Sequence, residues 1–540
     1  MWKEQLEAYI PQTADEIRAK EEILAAAEQY GTDIFCRECK AGGHVTCSGM
    51  ILDETMTQTL MVYHNIYQSF AWTGGHADGD TDFLGVAVRE AKEETGITIA
   101  EPLCSEILSL DVLPVAAHEK HGTPVAAHVH YNISFGLIAR KKDKLKVKPD
   151  ENSAVEWIPV ERIPEVCREV HMMPVYKKII QRMGQVRTAQ QEILRNMVQP
   201  LCQWYEKNAR DLPWRRDKEP YHVWLSEIML QQTRVEAVKG YYSRFLERFP
   251  TVQVLARADE EQVRKAWEGL GYYTRARNLQ LAAKEICCTY DGSFPSEYEK
   301  IRALPGIGDY TAGAIGSICF GLPVPAVDGN VLRVVMRLQD SFAETDRPDV
   351  KRSVTQMLHA VYPRENAAMC GVLTQALMEL GAVVCIPNGA PRCEACPLKH
   401  LCRSRKNGTS GRLPVRKQKA AKKEVSMTVF LMQCGERYAV CQRPMHGLLA
   451  GLWEFPNAEK EMDAQAALSQ AKAWGCVPLS VCRTTEQVHI FTHIRWKMKG
   501  ICITCGSTPS RFQWKTLEEI RRELTMPSAF QKFLDQGGSA

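Results

Sequence analysis

Three groups of residues have the types and spacings that chemistry needs. Cys385, Cys393, Cys396 and Cys402 lie within the single stretch CIPNGAPRCEACPLKHLC. Thiolates this dense satisfy one tetrahedral zinc ion or the corners of an iron–sulfur cube, and ligand type alone leaves both open. Glu90, Glu93 and Glu94 fall at i, i+3 and i+4 in VREAKEETGI. One helical turn then presents all of these carboxylates together, a face able to hold Mg²⁺ against a diphosphate or simply to be solvated. Glu227 stands among Trp224, Ile228 and Met229, while Asp328 opens a helix pattern in PAVDGNVLRV. Alone, Asp328 reads as a helix N-cap. A further group, Cys36, Cys39, His44 and Cys47, falls partly on a β-rich run and reads as buried or edge side chains rather than a zinc site.

The elements that must position these groups follow from pattern. At 540 residues the chain exceeds one core, and three or four domains are expected. It is 45% hydrophobic and 24% charged with a net charge of +4, so any nucleic-acid surface must be local. No run approaches a membrane span and MWKEQLEAYIPQTADE has no signal-peptide core, so a soluble, cytoplasmic protein is expected. The twenty cysteines then read mostly as reduced thiols. Alternating β-rich runs (HVTCSGMIL, TLMVYHNIY, AHVHYNISFGLIA) around one helix predict an α/β region near the N-terminus. Residues 190–402 read as successive helices, with HVWLSEIMLQQTRVEAV (222–238) as one helix carrying Glu227, Gln231 and Arg234 as a polar stripe. Residues 403–424, rich in Gly, Ser and basic side chains, read as a solvated linker. Strands return from 425, with helices at 463–474 and 516–535.

LPWR (212–215), VWLSEIMLQQT (223–233), GLGYYTRARNL (269–279), LPGIGDYTAGAI (304–315) and VDGNVLRV (327–334), closed by the cysteine cluster, resemble the helix-hairpin-helix DNA glycosylases and within them the adenine DNA glycosylase family. The resemblance runs from about residue 197 to the C-terminus and implies an all-α glycosylase with a [4Fe–4S] cluster on Cys385, Cys393, Cys396 and Cys402. One departure is visible, since seven residues rather than the family's six separate Cys385 from Cys393. The implied substrate is double-stranded DNA carrying adenine opposite 8-oxoguanine or guanine.

Cleaving an N-glycosidic bond requires a better leaving base and a stabilised positive charge on the sugar. Glu227, desolvated and so protonated near neutrality, suits the first task; Asp328, ionised, suits the second by screening or by transient attack. The resemblance implies that Gln231, Gln232, Tyr272, Gly306, Gly308, Tyr310 and Asn330 meet DNA and that Arg215 and Glu379 line the adenine pocket. Strand-cutting relatives carry a lysine where this chain has Tyr310, which cannot form a Schiff base, so efficient strand cleavage is not expected.

GLLAGLWEFP (447–456) resembles that family's C-terminal Nudix-like domain, with Phe491, Thr492 and His493 at the 8-oxoguanine recognition loop. HIFTHIRWKMKG, read as one strand, puts His489, Phe491, His493, Arg495, Lys497 and Lys499 on one face. At the other end GGHADGDTDFLGVAVREAKEETGI resembles a Nudix box, with Thr81 where the box carries its first glutamate and Asp80 or Asp82 as substitutes. The resulting layout is multidomain: an α/β Nudix hydrolase-like domain at 1–185 using Mg²⁺ on a nucleotide substrate, the all-α glycosylase at 190–402, a linker at 403–424 and an α/β Nudix-like domain at 425–540. A monomer is expected. The competing reading is a Nudix pyrophosphatase whose helical half only binds DNA lesions.

Overall fold

The computed structural model describes residues 2–37, 39, 42–98, 100–120, 123–417, 422–491 and 493–534. Two units emerge: Met1–Asn208 with Val327–Tyr362 and Gln375–Lys417, and Ala209–Ala326 with Pro363–Thr374 and Gln418–Ala540.

The first unit is organised around a mixed sheet. Strands β1 (Gly43–Asp53), β2 (Gln58–His64), β3 (Thr73–His76), β4 (Ser109–Val115), β5 (His128–Ala139) and β6 (Asn152–Pro159) run in the order β6-β2-β1-β5, with β3 on β1 and β4 on β5. β1 and β5 are parallel, in register from Gly43↔Val129 to Asp53↔Ala139. Both faces are covered, so β1 is buried along its whole length rather than alternating. Helix α1 (Ala14–Tyr30) and α2 (Phe83–Thr95) contribute Ile23, Phe83 and Val86 to a core with Val45 and Cys47. Helix α3 (Met173–Asn208) packs Tyr176, Ile179 and Met183 against Met50 and Leu52. His44 and Cys47 therefore point to opposite faces of β1, and the cysteine-rich run around them is not one constellation.

A buried charge network ties α1 to α3. Glu16 is fully buried, accepts 2.8 Å from Arg182 Nη2 and 2.6 Å from the Tyr9 hydroxyl, and has Lys178 Nζ at 3.2 Å. Burial would raise the Glu16 pKa, but hydrogen bonds from Arg182 and Tyr9 outweigh it and hold the carboxyl well below its usual range. Removing either partner would strand the other charge, a cost of about 3–5 kcal/mol.

α3 spans the joint expected between residues 185 and 190. Its 36 residues run unbroken through 185–190, and its far end places the Tyr205 hydroxyl 3.0 Å from Gln375 Oε1. Pro200 is tolerated inside it.

In the second unit α4 (Pro220–Leu230), α5 (Val235–Arg248), α6 (Glu260–Ala266), α7 (Thr274–Thr289), α8 (Tyr298–Ala303) and α9 (Asp309–Phe320) enclose a core around Trp224, Trp267, Phe245 and Ile315. The single helix expected over 222–238 is two. Gln231 ends α4, Gln232 takes φ +57° and Arg234 is the N-cap of α5, so no continuous stripe joins Glu227 to Arg234.

The chain re-enters the first unit with α10 (Gly329–Gln339) and α11 (Pro348–His359), and α12 spans Ala367–Val383. Of the expected linker, residues 418–421 lie outside the described residues, 405–408 and 422–424 are exposed, and 413–417 is held by hydrogen bonds. Leu413 is buried and its carbonyl accepts from Arg337 Nε at 2.9 Å, Val415 bonds Thr345, and the Lys417 amide bonds Asp346. Hydrogen bonds thus hold 413–417 in place, while Arg416 and Lys417 stay exposed as the composition suggested.

The second unit ends in another mixed sheet: β7 (Lys423–Cys434), β8 (Arg437–Gln442), β9 (Pro478–Ile490), β10 (Ile494–Cys505) and β11 (Gln513–Thr516), ordered β8-β7-β10-β9 with β11 on β8. β7 and β10 are parallel from Lys423↔Ile494 to Gln433↔Thr504. Helices α13 (Ala464–Ala473), α14 (Leu517–Glu523) and α15 (Ser528–Leu534) flank it. Pro527 separates the last two, where one helix over 516–535 was expected. This sheet docks on α6 and the turn after it: Arg264 reaches the Gly451 carbonyl at 3.1 Å, Lys265 the Arg521 and Leu524 carbonyls, and Glu268 accepts from the Met526 amide at 3.0 Å.

Candidate active sites

Glu227 lies near the end of α4 and is 7% exposed. α4 is apolar around most of its circumference, so it is buried on all sides and carries the carboxyl in with it. The Tyr310 hydroxyl, in the first turn of α9, donates to Glu227 Oε2 at 2.6 Å. Tyr310 thus contacts the acid itself, a link that sequence placed only at DNA. The turn before α9 is built by Gly306 at φ +75°, where an added Cβ would meet Asn278 Cβ at 2.7 Å, and by Gly308 as the N-cap. That leaves the α9 N-terminus without a side-chain cap and its amides directed outward, a phosphate-binding feature.

Gln232 and Tyr272 both hold positive φ, +57° and +47°, conformations that side chains rarely adopt and that persist only where surroundings enforce them. One residue that the sequence reading missed does this. Arg275 donates to the carbonyls of Ile228, Met229 and Gln231 on one side and of Leu270 and Gly271 on the other, at 2.7–3.2 Å. Burial lowers its pKa to about 10, still charged at neutrality. It ties the exposed carbonyls ending α4 to the turn that presents Tyr272, whose side chain is 47% exposed. The available signal was an arginine two residues past GLGYY, in a motif already quoted.

In the first unit Asp328 is the N-cap of α10. Oδ1 accepts from the Asn330 and Val331 amides at 2.9 and 2.8 Å, and Oδ2 from Asn330 Nδ2 at 2.7 Å. The capping reading is therefore correct, and it also fixes the carboxylate in one orientation. Asn330 is fixed in turn by Arg333 at 2.8 Å, and Gly381 permits the approach, since a Cβ there would lie 2.6 Å from Asn330 Cβ. Glu379 is buried on α12. Arg215, half-buried in the turn Pro213–Arg215, belongs to the second unit.

Cys385, Cys393, Cys396 and Cys402 are reduced and half-buried. Burial pushes the Cys396 thiol up to about 12, and the neighbouring Cys385, Cys402 and Cys393 add to the rise; Cys393 is raised by burial and then by Cys402 and Cys385. The sulfurs thus act on one another as a group. Arg337 donates to Cys385 Sγ at 3.3 Å, an N–H to sulfur contact of the kind that stabilises thiolate ligands. This donor set fits a four-thiolate metal centre despite the extra residue after Cys385.

On α2, Glu94 is buried and its pKa is well above the usual range, through burial first and then the charges of Glu90 and Glu151. Glu90 is raised likewise by burial and Glu93. Glu93 is exposed, with Lys148 Nζ at 4.0 Å. Carboxylates that raise one another fit a divalent cation, which reverses that cost. Both proposed substitutes for the missing box glutamate are engaged elsewhere: Asp82 caps α2 and Asp80 pairs with Arg89 at 3.1 Å.

In the C-terminal sheet the single strand expected over 489–500 is a hairpin between β9 and β10. Arg495, Lys497 and Lys499 share the solvent side of β10, whereas Phe491 packs at 4.8 Å on Trp496 and 4.5 Å from His489. Basic and aromatic groups therefore occupy opposite faces. His493 is exposed, and Thr492 lies outside the described residues.

Family profiles match three stretches of the chain. The family profile described as HhH-GPD superfamily base excision DNA repair protein matches residues 225–358, and NUDIX domain profiles match 44–182 and 428–536. The human adenine DNA glycosylase is 35% identical over 387 residues, covering 59% of this chain and 70% of the human protein. That of Schizosaccharomyces pombe is 31% identical, covering 55% of this chain and 78% of the relative. A solved thermostable thymine-DNA glycosylase is 24% identical with a TM-score of 0.36, covering 40% of this chain and 98% of its own. The reading as a pyrophosphatase with a non-catalytic helical half is not favoured by these matches. Among the described residues no helix is long and apolar enough to cross a membrane.

Proposed function

The chain belongs to the adenine DNA glycosylase family, enzymes that act on DNA, and on that premise we propose that it removes adenine paired with 8-oxoguanine or guanine and leaves the strand uncut. The observation that carries this reading is the buried Glu227 carboxyl held by the Tyr310 hydroxyl. A desolvated carboxyl keeps its proton more readily, and Tyr310 fixes which oxygen remains to deliver it to a ring nitrogen of an extruded adenine. Asp328, held by two backbone amides and Asn330, offers a fixed negative charge to the sugar as positive charge develops there. Gln232, Tyr272 and the α9 N-terminus meet the opened duplex, and Phe491 and His493 meet the base left opposite. Position 310 supplies no amine, so no Schiff base forms and the product is an abasic site.

Cys385, Cys393, Cys396 and Cys402 would hold a [4Fe–4S] cluster, which when bound would lock the 385–402 loop as one rigid surface. Glu90, Glu93 and Glu94 would hold Mg²⁺ while the N-terminal domain hydrolyses a nucleoside diphosphate derivative. The protein works as a monomer in the cytoplasm.

The test is a duplex with A opposite 8-oxoguanine, incubated with the full chain and then split by alkali or left untreated. Wild type gives cleavage only after alkali. Asp328→Asn keeps a good N-cap, so the fold survives, and should lose about 10²–10³-fold in rate from the missing charge. Cleavage without alkali, or an Asn variant as fast as wild type, overturns the assignment.

A further inference from the structure

Strand register in the first unit assembles a second cluster of ligands. His44 on β1 is paired directly with His130 on β5 in the parallel ladder. His76, the last residue of β3, is paired with Thr46, two residues from His44 and so on the same sheet face. The rings meet at 4.8 Å for His44–His76, 5.0 Å for His44–His130 and 5.2 Å for His76–His130. One ring nitrogen from each lies within 4.8 Å of the other two.

His44 supplies the independent observation. It is 6% exposed, and its Nε2 has no hydrogen-bond partner among the described residues. An orphaned buried polar atom of this kind calls for an explanation.

His128 stands beside the group. Its Nδ1 lies 2.9 Å from the Ala126 carbonyl, which can only accept, so Nδ1 carries the proton and Nε2 keeps a lone pair. That Nε2 is 3.3 Å from Nε2 of His130. Two nitrogens bound at about 2.0–2.1 Å to one tetrahedral zinc ion stand about 3.3 Å apart. A backbone carbonyl fixing the tautomer of a ligand histidine is the usual supporting contact of such sites.

We propose that His44, His76 and His130 bind one zinc-class divalent transition ion, with His128 standing beside the group. All the donors are imidazole nitrogens, which favour zinc, copper or nickel over Mg²⁺ or Ca²⁺. The site is thereby distinct in chemistry from the oxygen-lined face of α2, although His76 directly follows Gly75, against which Glu90 packs.

The test uses the full chain without a polyhistidine tag, its four-cysteine site first filled with iron and sulfide so that those thiolates take no zinc, then loaded with excess Zn²⁺ and dialysed against a weak chelator. Plasma mass spectrometry should find one zinc per chain, and zinc K-edge absorption should show a nitrogen-only first shell with imidazole scattering. His44→Ala and, independently, His130→Gln should lower retained zinc at least fivefold. Zinc ligated by sulfur, no retained zinc, or retention unchanged in folded variants would each overturn the proposal. The wild-type spectrum decides even if a variant fails to fold.

Discussion

In the N-terminal sheet β1 and β5 pair in parallel from Gly43↔Val129 to Asp53↔Ala139, and in the C-terminal sheet β7 and β10 do the same from Lys423↔Ile494 to Gln433↔Thr504. On this shared ladder the helices differ. α2 carries Glu90, Glu93 and Glu94, whereas α13 reads AQAALSQAKA and carries no acid at all. A strand framework therefore says nothing about turnover; the carboxylates on one helix turn decide whether a divalent cation has a seat. The C-terminal sheet instead exposes Arg495 and Lys497 and sets Phe491 edge-on to Trp496, groups with no bond-breaking chemistry of their own.

The sharpest way to break this contrast is Glu94→Gln. With Mg²⁺ and a panel of nucleoside diphosphate derivatives, the full chain should lose hydrolysis at least about 100-fold, while excision of adenine stays at the wild-type rate. Equal loss of both activities would mean that the substitution damages the fold rather than the cation seat.

The same carboxyl predicts a pH signature. Its folded pKa lies well above the ordinary 4.5, so its contribution to stability is complete below about 4.5 and is lost as pH rises towards the folded value. Without a divalent cation the N-terminal domain should soften over that rise, and Mg²⁺ should raise Tm more at pH 8 than at pH 5.5. A Mg²⁺ increment independent of pH would remove Glu94 from the cation's ligands.

On the C-terminal side, Phe491→Ala should weaken binding to 8-oxoguanine-containing duplex about tenfold relative to an undamaged control, since one base–aromatic stack contributes about 1–3 kcal/mol. Loss shared equally by both duplexes would make Phe491 structural. The smallest effect belongs to Lys497→Ala. Glu424 already sits 2.7 Å from this exposed ammonium, so affinity should fall only about two- to threefold on every sequence, with the salt slope reduced by about one.

What could be read from sequence was whatever chemistry a contiguous motif carries. VWLSEIMLQQT, VDGNVLRV, the four cysteines and VREAKEET named their residues because spacing along one turn or loop is local information. The break after Gln231 was hidden, because apolar periodicity continues across Gln232, whose φ is +57° and whose neighbour Gln231 is held by a distant arginine. The β9–β10 hairpin was hidden because no Gly or Pro marks 491–493. His44 was noticed for the wrong neighbours: Cys36, Cys39 and Cys47 are near in sequence, while His76 and His130 arrive only through strand pairing. Register between strands separated by dozens of residues is set by the whole core and is not written beside any one side chain.

The 36-residue helix that lies under the N-terminal sheet and continues as far as Tyr205 leaves no slack between the modules it joins. A protease searching for a soft joint at 185–190 would find hydrogen-bonded backbone, and a gene trimmed there would expose a severed apolar edge instead of releasing an independent domain. The first sheet and the cysteine-bearing segment share this one helix within a single unit, so thermal unfolding should register them as one cooperative event.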